Sequence, residues 1–186
     1  MDAKEFLNRY KNGQRNFRGA DLPEIDLLEI FLDDGVDLSE ANLVGLVIRK
    51  ADLTRIKLIR ANLQGADLSK VNLSEAHLQG ADLSGATIFD VGLSYSDLSG
   101  ANLSKAQIVE CSLFDANLSN ANLTKAILDG SDCRGGNLSG ADLTNASIRY
   151  VDFSNANLTG ASMDSIESDE EANFSGATMP DGTVHD

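Results

Sequence analysis

The side chains with the most evident chemical capacity in this chain are carboxylates and carboxamides, and they recur. In "ANLQGADLSKVNLSEAHL", residues 61–78, every fifth position holds Asn, Asp or His immediately before a Leu. Two carboxylates held a few ångströms apart can act as acid and base on a glycosidic bond, so one reading is a polysaccharide-acting enzyme. The competing reading is structural. A short polar side chain at a chain corner bonds nearby backbone groups, and that role explains every copy rather than one pair. At twenty-residue spacing the row Asn42, Asn62, Asp82, Asn102, Asn122, Asp142 interleaves neutral Asn with the acids, which limits like-charge repulsion, whereas Asp132 and Asp152 follow each other directly. The structural reading is preferred and no catalytic residue is assigned.

The other reactive side chains are few. His77 stands at an Asp/Asn-type position without a second His or Cys near it in sequence, and His185 lies in the tail. Cys111 and Cys133 fall at positions expected to face inward and read as small buried hydrophobes. Two cysteines are too few for a disulfide framework or a zinc site. The Gly of "LSGA" and "LQGA" belongs to the repeat rather than to a phosphate loop. No cofactor and no metal are expected.

Composition narrows the partners. The 186 residues carry a formal charge of −14, which disfavours direct binding to nucleic acid phosphates. Half of that excess is in residues 164–186, which hold seven acids and no Lys or Arg, while residues 36–163 hold fourteen acids and ten cations. No run is apolar enough to cross a bilayer. The segment "MDAKEFLNRYKNGQRNF" has no apolar core of the secretory kind. The expectation is a cytoplasmic protein with no membrane partner.

What positions these side chains is a period of five. From Leu38 to Met163 an apolar centre recurs without a break in 26 units, 19 of them Leu and four Ile. Two residues earlier a small residue stands, Ala in 16 units; the residue between is Asp or Asn in 16, and the one after the centre is Ser or Thr in 14. On a helix a five-residue step sends the Leu residues round the cylinder, and on a flat strand it flips alternate ones to opposite faces. A coil that turns a corner once per unit keeps every Leu and its preceding Ala on one axis and stacks through backbone hydrogen bonds. The number of sides does not follow from the period.

Runs such as "ANLQGADLSKVNL" and "ANLSNANLTKAIL" resemble the A(D/N)LXX signature of pentapeptide-repeat proteins. The resemblance implies an all-β fold, a right-handed quadrilateral parallel β-helix with four units per coil. The four central Ile residues, 48, 88, 108 and 148, differ by multiples of 20, as do Val71, Val91 and Val151, which agrees with four sides. Some proteins of this family are acidic rods that mimic duplex DNA and bind DNA gyrase, a reading carried as the alternative here. The mildly acidic, Asn-diluted body and the lack of an apolar C-terminal dimerisation helix depart from that type. "YKNGQRNFRGADL" and "SGATMPDGTVHD" are similar to termini of cyanobacterial members, which implies a regulatory role.

The expected organisation is a capping helix within 1–16, a β-helix over 17–163 with a register slip at 33–35, an acidic loop or short helix at 164–173, and final repeats with a tail at 174–186. In "MDAKEFLNRYKNG", Asp2 can cap, Phe6, Leu7 and Tyr10 share a face and Gly13 can end a helix over 3–11. Its task is to cover an exposed coil end.

Function is therefore sought at outward positions. Phe89, Tyr95, Val109 and Phe114 depart from the polar pattern and are expected to form one apolar patch around a corner, the candidate contact for a protein partner; the plain alternative is mutual packing. Arg49, Lys50, Arg55, Lys57 and Arg60 form the one basic stretch and a second candidate face, with simply solvated coils as the preferred plain alternative. The expected function is a non-enzymatic scaffold for an unidentified protein partner, as a monomer or weak dimer.

Overall fold

In the computed structural model the chain is described at residues 1–28, 31–32 and 35–186, with only the backbone at Leu28. The chain winds as a coil of twenty residues in which each turn pairs in parallel with the next. Asn42 pairs with Asn62, Val47 with Asp67, Asp52 with Asn72 and Lys57 with His77, one bridge on each of four sides. The sides are named here by a central residue: the first through Ile88, the second through Leu93, the third through Leu98 and the fourth through Leu103.

Each bridge is one residue wide at most positions because the corners consume the rest of the unit. Among the described residues, only on the first side does pairing lengthen into three-residue strands: β1 (Asp26–Leu28) with β2 (Val47–Arg49), and β3 (Thr87–Phe89) with β4 (Gln107–Val109), both parallel. The hydrogen bonds repeat every turn. Leu103 N–H donates to Asn122 O at 2.7 Å, and Asn122 N–H returns to Ala101 O at 2.9 Å. Inward-facing centres and their preceding small residues are sealed, with Leu63, Ala66, Leu118, Cys133 and Phe153 all at 0 % exposure.

The corner itself has a fixed backbone. In every unit from Leu38 to Met163 the second residue after the centre has positive φ, from Glu40 (61°) to Ser165 (53°), and most of these residues are not glycine. Left-handed backbone in a residue with a Cβ is unfavourable by about 1–2 kcal/mol. It persists because the ladder on both sides of the corner fixes the path of the chain. Most corners close with a turn bond such as Ala101 N–H to Leu98 O at 3.0 Å.

Where the first side meets the second, side chains complete the corner. Cys111 N–H donates to Ser131 Oγ at 3.1 Å, and that hydroxyl donates to Ile108 O at 2.9 Å, so Ser131 is inserted into the turn of the coil before it. The Cys111 thiol likewise donates to Ile88 O at 3.0 Å. Burial pushes this thiol up to about 11. The column that holds Val71, Val91, Cys111, Ser131 and Val151 is thus the one in which side chains bond to the turn of a neighbouring coil.

Both register shifts are visible in the ladder. Asn16, Asp21 and Phe31 pair with residues 21 further on, whereas Asp37 pairs 20 further on with Lys57, so the extra residue lies between Phe31 and Asp37. The expected slip at 33–35 falls there; residues 33 and 34 lie outside the described part. The acidic segment 164–173 is neither a loop nor a helix. Glu167 N–H donates to Ala146 O at 2.8 Å while Ile148 N–H donates to Ser168 O at 2.7 Å. Two residues thus oppose Ser147, a β-bulge that absorbs one residue and lets the coil continue to Asn173 opposite Asp152.

The ends are covered differently. Helix α1 (Ala3–Lys11) is capped by the Asp2 carboxylate, which accepts from Glu5 N–H at 2.7 Å. It plugs the first coil with Phe6, whose ring sits 4.6 Å from that of Phe17. At the far end Phe174 stacks on Phe153 at 5.3 Å, and Val184 pairs antiparallel with Thr178.

Two substitutions test this account. Ser131→Ala removes the hydroxyl from a buried corner and leaves Cys111 N–H and Ile108 O unpaired, so it should destabilise by about 1–3 kcal/mol, read as a thermal midpoint lowered by roughly 2–4 °C per kcal/mol. Lys125→Gly relieves a left-handed corner (φ 59°) at an exposed position. It should raise the midpoint by the equivalent of about 0.5–1 kcal/mol, the left-handed penalty less the entropy that Gly adds to the unfolded chain.

Candidate functional site: outward corners and the groove beside Tyr95

The Asp and Asn rows are engaged by the backbone. Asp97 Oδ1 accepts from Ser99 N–H at 3.0 Å and from Asn117 Nδ2 at 3.1 Å, and its Oδ2 accepts from Gln79 Nε2 at 2.8 Å. Asp82 accepts in the same way from Ser84, Asn102 and Gln64. Burial pushes the carboxyls of Asp82 and Asp97 up, but these hydrogen bonds outweigh it and hold both below the ordinary Asp value. Asn117, Asn137 and Asn157 continue the row, each amide donating to the Oδ1 one coil back. The carboxylates are structural acceptors of the corners. Asp132 and Asp152, the adjacent acids, share Arg134, at 2.7 Å and 3.9 Å.

The four apolar departures are brought together as two pairs on successive corners, which corrects the single patch expected from the sequence. A corner follows every unit, so residues five apart cannot share one. Phe89 and Val109 are ladder partners at the corner after the first side. Tyr95 and Phe114 meet edge-to-face at the corner after the second side, ring centres 5.6 Å apart at 82°. Between them lies the second side with Gly92 paired to Ser112, where a Cβ on Gly92 would come within 3.1 Å of Asn72 Oδ1. Phe89 is 37 % exposed and Tyr95 59 %. Arg134 covers the far face of Phe114, its guanidinium 5.7 Å from the ring centre.

Sequence reading passed over Tyr150, 54 % exposed at a left-handed corner, and Ile127, which is paired with Gln107 on the first side. Both were legible as bulky residues at outward repeat positions. The column of Phe89 and Val109 continues instead as Asp129 and Arg149, a pair at 2.6 Å, so Ile127 and Tyr150 stand apart from it.

The basic stretch does not form a face. Arg49 and Lys50 sit at the corner after the first side, Arg55 after the second, Lys57 on the third side and Arg60 after it, because twelve residues wind past three corners. Most of its charge is met by neighbouring coils. Arg49 pairs with Asp67, Arg55 with Glu75 at 2.8 Å, and Arg60 approaches Glu40 at 3.8 Å, a carboxylate that Arg18 holds at 2.7 Å.

Arg55, Lys57, Glu75, His77 and Tyr95 line a shallow groove. Lys57 and His77 are ladder partners, and both are exposed. Among the described residues, no group of His, Cys, Asp and Glu side chains is arranged to hold a metal ion, and no helix is long and apolar enough to cross a membrane.

This architecture, a quadrilateral solenoid with Asx-supported corners, is that of pentapeptide-repeat proteins. The family model for pentapeptide repeats matches residues 51–88, 93–132 and 126–164. The chain belongs to this family, and its fold is the right-handed parallel β-helix. It is similar over the full length of both chains, at 30 % identity and a TM-score of 0.41, to HetL, a pentapeptide-repeat protein involved in heterocyst differentiation regulation in the cyanobacterium Nostoc sp. strain PCC 7120. A pentapeptide-repeat protein of the Arabidopsis thaliana thylakoid lumen is 31 % identical over 59 % of this chain and 68 % of its own, with a TM-score of 0.42. A trypsin-treated form of QnrB1, a plasmid-mediated fluoroquinolone resistance protein, shares the fold at a TM-score of 0.58 and 20 % identity over 86 % of this chain and 84 % of its own. No curated protein matches the chain.

The Asx rows make a pH prediction. Asp82 and Asp97 have folded-state values below the unfolded one, so their contribution is complete above about pH 4 and is lost as pH falls through the lowered values. The thermal midpoint should drop as pH falls below about 4. Asp82→Asn/Asp97→Asn keeps the accepting oxygen without the titration, and should make that drop shallower.

Proposed function

We propose that this chain is a non-enzymatic, cytoplasmic scaffold that holds a protein partner against the corner carrying Tyr95 and Phe114, in a regulatory setting. The observation that carries the reading is Tyr95 itself. It occupies a left-handed corner (φ 61°) where many other coils place Gly, Asn or Lys, and it is still 59 % exposed. An aromatic there adds backbone strain and leaves a large apolar ring in water, two unfavourable terms that folding alone does not require. Exposed aromatics on a rigid polar surface have the composition of a binding centre. The regulatory setting is supported by the likeness to HetL over its whole length.

The charge pattern gives no support to mimicry of duplex DNA. Outward acids are interleaved with Asn, and Asp67, Asp129 and Asp132 are each paired with an Arg.

The test is affinity capture from native lysate with the intact chain and with Tyr95→Gly/Phe114→Ser. Since Gly relieves the corner, the fold should be retained and a partner held by the intact chain should be lost. A partner retained equally by the two proteins defeats the reading.

A further inference from the structure

We propose that the second side of the rod is the contact between two copies of this chain, packed antiparallel about a two-fold axis that passes between the coils of Asn72 and Gly92. This rests on the reading of the Tyr95 corner as an interaction surface and names its occupant.

The two edges of that side carry its long side chains. Along the corner that leads into it stand Lys50, Lys70, Asp90 and Glu110, one per coil; along the corner that leads out of it stand Arg55, Glu75, Tyr95 and Asp115. All eight are exposed residues on left-handed backbone. Between the edges the side is low, with Asp52, Asn72, Gly92 and Ser112 paired in succession. A flat strip with its charges at both rims is shaped to meet another flat strip.

The order of the charges selects the occupant. The entering edge reads basic, basic, acidic, acidic over four consecutive coils. A two-fold rotation about an axis in the contact plane, perpendicular to the rod, reverses that order and sets each edge against its own copy. Lys70 then faces Asp90 of the other copy and Lys50 faces its Glu110, each twice by symmetry. The leaving edge selects the same axis to within a quarter of a coil. There Arg55 faces Asp115 of the other copy, and the Glu75 carboxylate faces the Tyr95 hydroxyl of the other copy, which can donate to it. Phe114, in edge-to-face contact with Tyr95, falls opposite Thr54, so both rings leave water on pairing.

Other arrangements of two copies meet like charges. Moving the axis by one coil sets Lys50 against Lys70, or Asp90 against Glu110. A parallel pair, with the axis along the rod, brings Lys50 to Arg55 and Glu110 to Asp115. Such clashes fix the register more firmly than the attractions do. The charges are also open to a second copy. Among the described residues, none of Lys50, Lys70, Asp90, Glu110 and Asp115 makes an ion pair within its own chain, whereas Arg49, Arg55 and Arg149 close onto acids of neighbouring coils.

The contact is small. Lys50 to Glu110 spans three coil spacings, about 14 Å. With both copies at −14, the pair belongs to the weak, transient class, and a Kd of roughly 10–100 μM is expected.

Sedimentation equilibrium on the full chain from about 5 μM to about 500 μM measures it. Lys50→Glu/Lys70→Glu and Asp90→Lys/Glu110→Lys each give the entering edge a single sign. Each variant alone should self-associate at least about tenfold more weakly than the parent. Glu40 and Lys105 already occupy left-handed corners, so both variants should keep the parent's thermal midpoint. Mixed in equal amounts, they restore every opposite-sign pair along that edge and should form a mixed dimer about as tight as the parent's, although both remain net acidic.

A chain that stays monomeric to about 500 μM overturns the inference. So does a dimer that neither reversal weakens, or a mixture that associates no more tightly than its separate variants. In each of these cases the lysate experiment with Tyr95→Gly/Phe114→Ser still reports separately on whether the apolar corner holds a different protein.

Discussion

The structure depends on one constraint: every fifth residue must take left-handed backbone while its neighbours hydrogen-bond to the coils before and after. Once the second residue after each centre is fixed near φ +60°, the chain turns one corner per unit and returns to register after twenty residues. The remaining sequence preferences follow. Ala precedes the centre because the interior narrows at the corner, Leu fills the side, and Asp or Asn accepts from the N–H that the turn leaves pointing outward. No single bridge is wide, yet the column is rigid because each bridge is repeated on four sides.

That rigidity lets the fold carry local exceptions. A left-handed Tyr, a hydroxyl inserted into a neighbouring turn or a one-residue bulge would each redirect an isolated hairpin. Here the adjoining coils hold the path, and the exception stays where it was placed. Ser131 shows this in the interior and Tyr95 at the surface. The first hydrogen-bonds into the corner of the coil before it; the second adds exposed apolar surface beside Phe114.

The same winding decides how charge is distributed. Cations that are close in sequence are spread over three corners, and the three arginines among them meet acids of neighbouring coils, as Arg49 meets Asp67 and Arg55 meets Glu75. Exposed pairs of this kind contribute little stability. Their consequence is that a net charge of −14 does not become a continuous acidic wall. Membership of the pentapeptide-repeat family therefore fixes the scaffold, and what distinguishes this chain is confined to the few outward positions where the row is broken.

The period of five, the inward Leu and Ala, the helix over 3–11 and the structural purpose of the Asx rows were all legible in the residues. Each is a short-range requirement: a side chain of given size or polarity at a given place in the repeat. The four-sided coil was supported by the spacing of Ile48, Ile88, Ile108 and Ile148, since stacking imposes the same choice every twenty residues. What the linear order concealed was adjacency across the coils. Phe89 and Tyr95 are six residues apart yet stand on different corners, whereas Lys57 and His77, twenty apart, are direct neighbours. The acidic segment at 164–173 looked like an interruption because its composition is polar, but ladder bonds from Ile148 and Tyr150 draw its backbone into the coil. Composition set the repeat, and the stacking of one coil on the next decided which of its exceptions touch.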